Sequence, residues 1–152
     1  MTSKRLGRQT VRLGSPVSVL SYANIGGKQE AQGPLAGYFD ELNQDAYFGQ
    51  KSWEKGESAM QQFALRRAME KGGLIPEDLD YVLAGDLLNQ CIGTSFSLRD
   101  FKIPFYGLYG ACSTMGESLS LAALLIDGGF ASIVAAMTSS HFCTAERQGR
   151  VP

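Results

Sequence analysis

Phe105-Tyr106-Gly107-Leu108-Tyr109-Gly110-Ala111-Cys112-Ser113-Thr114 runs directly into Met115-Gly116-Glu117-Ser118-Leu119-Ser120-Leu121-Ala122-Ala123-Leu124-Leu125-Ile126-Asp127. The first part is an apolar run, Ile103 to Leu108, with Pro104 near its start, where a strand tolerates proline. The second part, Ser113 to Asp127, reads as a helix. Met115, Leu119, Ala122, Ala123 and Ile126 mark one face, but Leu121, Leu124 and Leu125 fill the other. A helix that is apolar nearly all round is expected to be covered on all sides. Gly116, Ser118 and Ser120 are small and let neighbours approach closely. Gly128-Gly129 ends the helix.

On the C-terminal side, Ser132 to Met137 is an almost continuously apolar strand, of the kind found in parallel sheets covered on both faces. Thr138 to Pro152 is polar. On the N-terminal side, a short helix is expected over Thr94 to Phe101. Before it, Tyr81 to Gly85 reads as a buried strand closed by Asp86. Pro76 to Leu79 reads as a single helical turn with proline at its start. Ser52 to Lys71 reads as a helix capped by Ser52, with Trp53, Met60, Phe63, Ala64 and Arg67 at helical spacing, and Gly72-Gly73 stops it. A short strand is expected at Thr10 to Leu13, followed by a loop from Gly14 to about Lys51. A loop of that length usually has a function or packs on a partner. The alternation of strands and helices predicts an α/β fold with a mostly parallel sheet and right-handed crossovers. These elements supply only one sheet for the helix Ser113 to Asp127. The other side of that helix is therefore expected to need cover from elsewhere.

Composition narrows the class. Lys and Arg total 14 against 15 Asp and Glu, so no basic excess points to a nucleic-acid partner. Three cysteines, Cys91, Cys112 and Cys143, are odd in number and fit no zinc spacing, which suits reduced thiols and no bound metal. Met1 to Arg12 is basic and polar with no apolar stretch behind it, so no secretory signal is read there. The longest apolar run, Leu119 to Ile126 broken by Ser120, falls far short of the ~20 residues that span a bilayer. A soluble or peripheral protein is expected.

Candidate chemistry gathers at strand ends. Cys112 sits at the apex of a strand-to-helix turn. Backbone amides opening a helix carry partial positive charge, which favours a thiolate nucleophile and suits an oxyanion. A small residue packed at a crowded corner is the alternative role for such a cysteine. His141, the single histidine, follows the strand ending at Met137, and Asp86 and Asn89 follow the strand ending at Gly85. In a parallel sheet these strand ends share one edge, where such sheets place ligands. Turn chemistry and loop hydrogen bonding explain each residue singly; their convergence carries more. Arg147 and Arg150, in Thr144-Ala145-Glu146-Arg147-Gln148-Gly149-Arg150, add cations suited to carboxylates near that edge, or form a solvated loop. Cys91 and Cys143 read as structural.

The element order and the Gly110-Ala111-Cys112-Ser113 elbow resemble the thiolase superfamily, which includes ketoacyl synthases. Longer strings resemble the stage V sporulation protein AD family. They are Gly33-Pro34-Leu35, Leu83-Ala84-Gly85-Asp86-Leu87-Leu88-Asn89-Gln90, Phe105 through Thr114, and Ala123 through Ala131. Thr138-Ser139-Ser140-His141 and Thr144-Ala145-Glu146-Arg147-Gln148 continue the match. The resemblance implies a fold of two similar halves with layered helices, the buried helix of each half packing on its twin. On that basis residues 1–152 are an N-terminal thiolase-like half-domain, incomplete at its last strand. The assisting histidine and the second histidine or asparagine of condensing enzymes would lie in the other half, and His141 is not equivalent to them.

The family is implied to bind dipicolinic acid, with calcium, for uptake into the developing spore. It would act with other stage V sporulation membrane proteins at the spore inner membrane, as a homodimer when full length. Cys112, Asp86, Asn89, His141 and Arg147 are then the expected ligand-binding positions, with no cofactor required and Cys112 a nucleophile position that need not act. Asp86 would repel a free dianion unless calcium or a proton intervened. The alternative is an acyltransferase or condensing enzyme that loads an acyl group from a coenzyme A thioester onto Cys112.

Overall fold

A computed structural model describes residues 4–88 and 91–145. The strands are β1 (Arg5–Leu6), β2 (Thr10–Val11), β3 (Ile25–Gly26), β4 (Glu41–Leu42), β5 (Tyr81–Gly85), β6 (Phe105–Gly107) and β7 (Val134–Thr138). The α-helices are α1 (Trp53–Gly72), α2 (Ile92–Leu98) and α3 (Thr114–Asp127).

The main sheet has the order β6-β5-β7, and both pairings are parallel. Tyr81 pairs with Val134 and Gly85 with Thr138 on one side of β5, while Val82 pairs with Phe105 on the other. Successive side chains of β5 point to opposite faces, so two cores form. Val82 and Ala84 pack with Leu65 and Met69 of α1, Leu98 of α2, Leu79 and Phe101. Leu83 faces the other way and packs with Leu108 and Ala122, flanked by Leu125, Val134 and Ala136. Helices α1 and α2 thus cover one face and α3 the other. Asp80 fixes the register where β5 and β7 begin. Its Oδ2 accepts from the backbone N–H of Ser132 at 2.6 Å and Ile133 at 3.1 Å.

The expected parallel α/β arrangement is present, with three differences. The strand expected at Thr10 to Leu13 does not join the sheet. It pairs with β1 in an exposed antiparallel hairpin, tethered where Lys4 Nζ meets Asp127 Oδ2 at 2.7 Å and the amides of Gly14 and Ser15 donate to Asp127 Oδ1. The loop from Gly14 to Lys51 contains a small parallel pair, β3 with β4, and two 3-10 turns. Helix α1 is capped as expected, with Ser52 Oγ accepting from the Lys55 amide and Gly73 in the left-handed conformation at its end. Its buried residues, however, are Gly56, Glu57, Gln61, Leu65 and Met69 rather than the Trp53, Met60, Phe63 stripe.

Helix α3 turns small residues to the sheet. Thr114, Ser118 and Ala122 are its buried positions. The large side chains point away: Met115 is 41%, Leu119 49%, Leu121 37% and Leu124 45% exposed. Full cover, expected from the all-round apolar pattern, is found on one side only. Side chains as small as Ser118 and Ala122 let the helix lie close against the strands.

Candidate functional site

The C-terminal ends of β6, β5 and β7 lie side by side because the three strands are parallel. Asp86 follows β5, the Cys112 elbow follows β6, and His141 follows β7. The structure therefore brings these three expected residues to one edge. Asn89 and Arg147 lie outside the described residues.

The elbow is tight. Leu108 N donates to Ala84 O at 2.8 Å, which carries β6 past the end of β5. Any side-chain carbon at Gly85 would collide with Leu108 O, so only glycine lets the two chains approach this closely. Ala111 then adopts φ +48°, an uncommon conformation for a residue with a side chain. A 3-10 turn, Ala111–Ser113, carries Cys112, and α3 begins at Thr114. Gly110 sits under this turn, where a Cβ would meet the Glu117 carboxylate and Ser113 Oγ. Cys112 is exposed at the mouth of the helix N-terminus. Thr114 is buried beside it, and its Oγ1 has no hydrogen-bond partner.

Asp86 is engaged from within the fold. It is buried, and its Oδ1 accepts from the Leu88 amide at 2.8 Å. Its Oδ2 accepts from the Thr94 amide at 2.7 Å and from Thr94 Oγ1 at 2.6 Å. The carboxylate thus holds the turn into α2 from inside. Cys91 completes this corner. Burial pushes its thiol up, and the thiol donates to Leu108 O at 3.1 Å, which is the structural role expected of it.

His141 is half-buried. Its Nε2 lies 2.8 Å from Ala46 O, so that nitrogen carries a proton, while the buried Nδ1 has no partner. The contact ties the β7 end to the long N-terminal loop, a use for that loop that its length suggested. Sequence reading missed a set of buried polar residues behind this edge: Glu57, Gln61, Thr94, Ser97 and Thr144. The readable signal was Glu57 and Gln61 at a spacing of four, in line with Leu65 and Met69.

Among the described residues, no cluster of three or more His, Cys, Asp or Glu side chains is placed to hold a metal ion. No helix among them is long and apolar enough to cross a membrane.

The comparison with solved structures defines the class. The chain is similar to 3-oxoacyl-[acyl-carrier-protein] synthase III from Aquifex aeolicus VF5, with a TM-score of 0.51 and 20% identity. That match covers 57% of this chain and 30% of the synthase, and it marks a thiolase-like fold. The family follows from sequence. The family model for stage V sporulation protein AD matches residues 7–152, and the Bacillus subtilis (strain 168) stage V sporulation protein AD is 43% identical over 149 residues. The chain belongs to the stage V sporulation protein AD family. It spans 44% of the length of the Bacillus subtilis relative and 98% of it is matched.

Proposed function

We propose that the protein, as part of a chain of its relative's length, binds dipicolinic acid and serves its uptake into the developing spore. Family membership carries this reading. The edge formed by the ends of β5, β6 and β7 supports it, because ligands of parallel α/β sheets bind beyond the carboxyl ends of the strands. The helix N-terminus of α3 opens onto that edge and favours an anionic carboxylate. In this reading Cys112 and His141, at that edge, are ligand-binding positions together with Asp86, and Asn89 and Arg147 have amide and guanidinium donors suited to carboxylates. Calcium travels with the ligand as cargo. The partners are other stage V sporulation membrane proteins and a second copy of the chain, with no nucleic acid involved. The working location is soluble or peripheral at the spore inner membrane. Equilibrium dialysis of dipicolinate against the chain continued to its relative's full length tests this. Saturable binding supports the proposal, and absence of binding removes it.

The exposed thiol of Cys112 at the mouth of α3 favours a second reading, acyl transfer from a coenzyme A thioester. It requires an acyl adduct on Cys112 after incubation with an acyl-coenzyme A. An unmodified mass removes it.

A further inference from the structure

Beneath the site edge, one amide organises two strand-end loops. Glu57 and Gln61 stand one turn apart on the buried face of α1. Gln61 Nε2 donates to Ser139 Oγ at 2.5 Å and to Thr94 Oγ1 at 3.2 Å, so both its protons are used. Ser139 Oγ passes the bond on to Glu57 Oε1 at 2.5 Å. Thr94 Oγ1 passes it on to Asp86 Oδ2 at 2.6 Å. Ser97 Oγ lies 2.6 Å from Gln61 Oε1 and 2.8 Å from Thr94 O, and its one proton goes to the nearer oxygen. On the far side, Thr144 Oγ1 lies 2.7 Å from Glu57 Oε2 and 2.8 Å from His141 O, which ties in the turn carrying His141.

A hydroxyl has one proton to give. Thr94 and Ser139 can each aim that proton at a carboxylate because the Gln61 amide satisfies the opposite side of each oxygen. The direction of the whole chain is therefore set from the middle. A buried polar group without its partner is costly, so such a network is held in full or loosened in several places together.

We propose that Gln61 is a positioning residue that couples the loop after β5, held by Asp86 and Thr94, to the loop after β7, which carries Ser139 and His141. Its consequence for ligand rests on the reading of this edge as a dipicolinate pocket; the coupling itself does not. Helix α1 thereby sets the spacing of two walls of the site without touching a ligand.

Hydrogen-exchange mass spectrometry on the 152-residue chain tests the coupling. Thr94→Val keeps the shape and leaves Asp86 its two backbone donors. It is expected to raise exchange over residues 139–145, across the network, by roughly fivefold, the scale of one hydrogen bond's net contribution. Gln61→Met is expected to raise exchange in both loops, and adding Thr94→Val to it should change residues 139–145 no further. Leu65→Ala, on the same helix face but outside the network, controls for general loosening. If Gln61→Met does not fold, Thr94→Val against Leu65→Ala decides alone. An effect of Thr94→Val confined to residues 86–98, or one that adds in full to Gln61→Met, would overturn the proposal. Coupled exchange together with failure of the full-length protein to bind dipicolinate would leave the coupling standing and remove only the ligand reading.

Discussion

Replacing Leu83 and Leu119 by alanine, separately, should give two very different costs. Leu83 is 2% exposed at the centre of the sheet and packs on Leu108, Ala122 and the flanking Leu125. A leucine so enclosed costs about 2–5 kcal/mol when cut to alanine, from lost transfer energy plus the cavity left behind. Leu119 is 49% exposed on the outer side of α3. Full burial of a leucine contributes about 1.5–3 kcal/mol, so the covered half contributes about 1 kcal/mol. No enclosed cavity forms there, because one wall is solvent. For a domain of this size each kcal/mol moves Tm by roughly 2–4 °C. The Leu83 variant should therefore lose roughly 4–20 °C and the Leu119 variant roughly 2–4 °C. Thermal unfolding followed by circular dichroism at low micromolar concentration reads both. Low concentration matters, since the exposed apolar side chains Met115, Leu119, Leu121 and Leu124 favour self-association. Equal losses in the two variants would refute the reasoning, because they would mean that the outer face of α3 is as well covered in solution as the sheet.

Two further outcomes follow from local geometry. Asp80 is held below its ordinary value by the Ser132 and then the Ile133 amides, and Asp127 is held below its own chiefly by Lys4. A depressed carboxylate contributes stability that is complete above its unfolded value, near 3.8, and is lost as pH falls through the folded value. The urea midpoint should therefore drop as pH falls below about 4. Asp80→Asn should flatten that drop, and an unchanged pH profile in the variant would contradict the assignment. Gly85→Ala should cost roughly 1–3 kcal/mol, because its Cβ collides with the Leu108 carbonyl rather than with a yielding side chain. A neutral effect in urea unfolding would mean that β6 moves away freely at the elbow.

The sheet and helices were legible because their signals were strong and local. Tyr81 to Gly85 and the run before Thr138 are continuous apolar stretches, as buried parallel strands must be. Ser52 and Gly73 bracket α1 as a cap and a stop. What was not legible depends on distant partners. Thr10 and Val11 have strand-forming side chains, but their pairing partner is the adjacent β1, not the sheet. The buried face of α1 is not legible from its apolar residues, because Glu57 and Gln61 belong to it. Those two are buried only because Ser139, Thr144, Thr94 and Ser97 arrive from other elements to satisfy them. The inward turn of Asp86 has the same origin. Its position at a strand end was readable, but its three donors, from Leu88 and Thr94, belong to a turn whose shape emerges only on folding. The Cys112 elbow was readable in outline from glycine, small residues and the following helix, whereas the left-handed Ala111 was not.

The proposed dicarboxylate carrier and the alternative acyl-transfer enzyme make opposite demands on this edge of the fold. The most direct measurement is a calorimetric titration of dipicolinate, with and without calcium, into the chain continued to the length of its Bacillus subtilis relative. A dicarboxylate carrier gives a saturable heat of binding that calcium alters. No heat under either condition, with acyl-coenzyme A leaving an adduct on Cys112 in the same preparation, would contradict it.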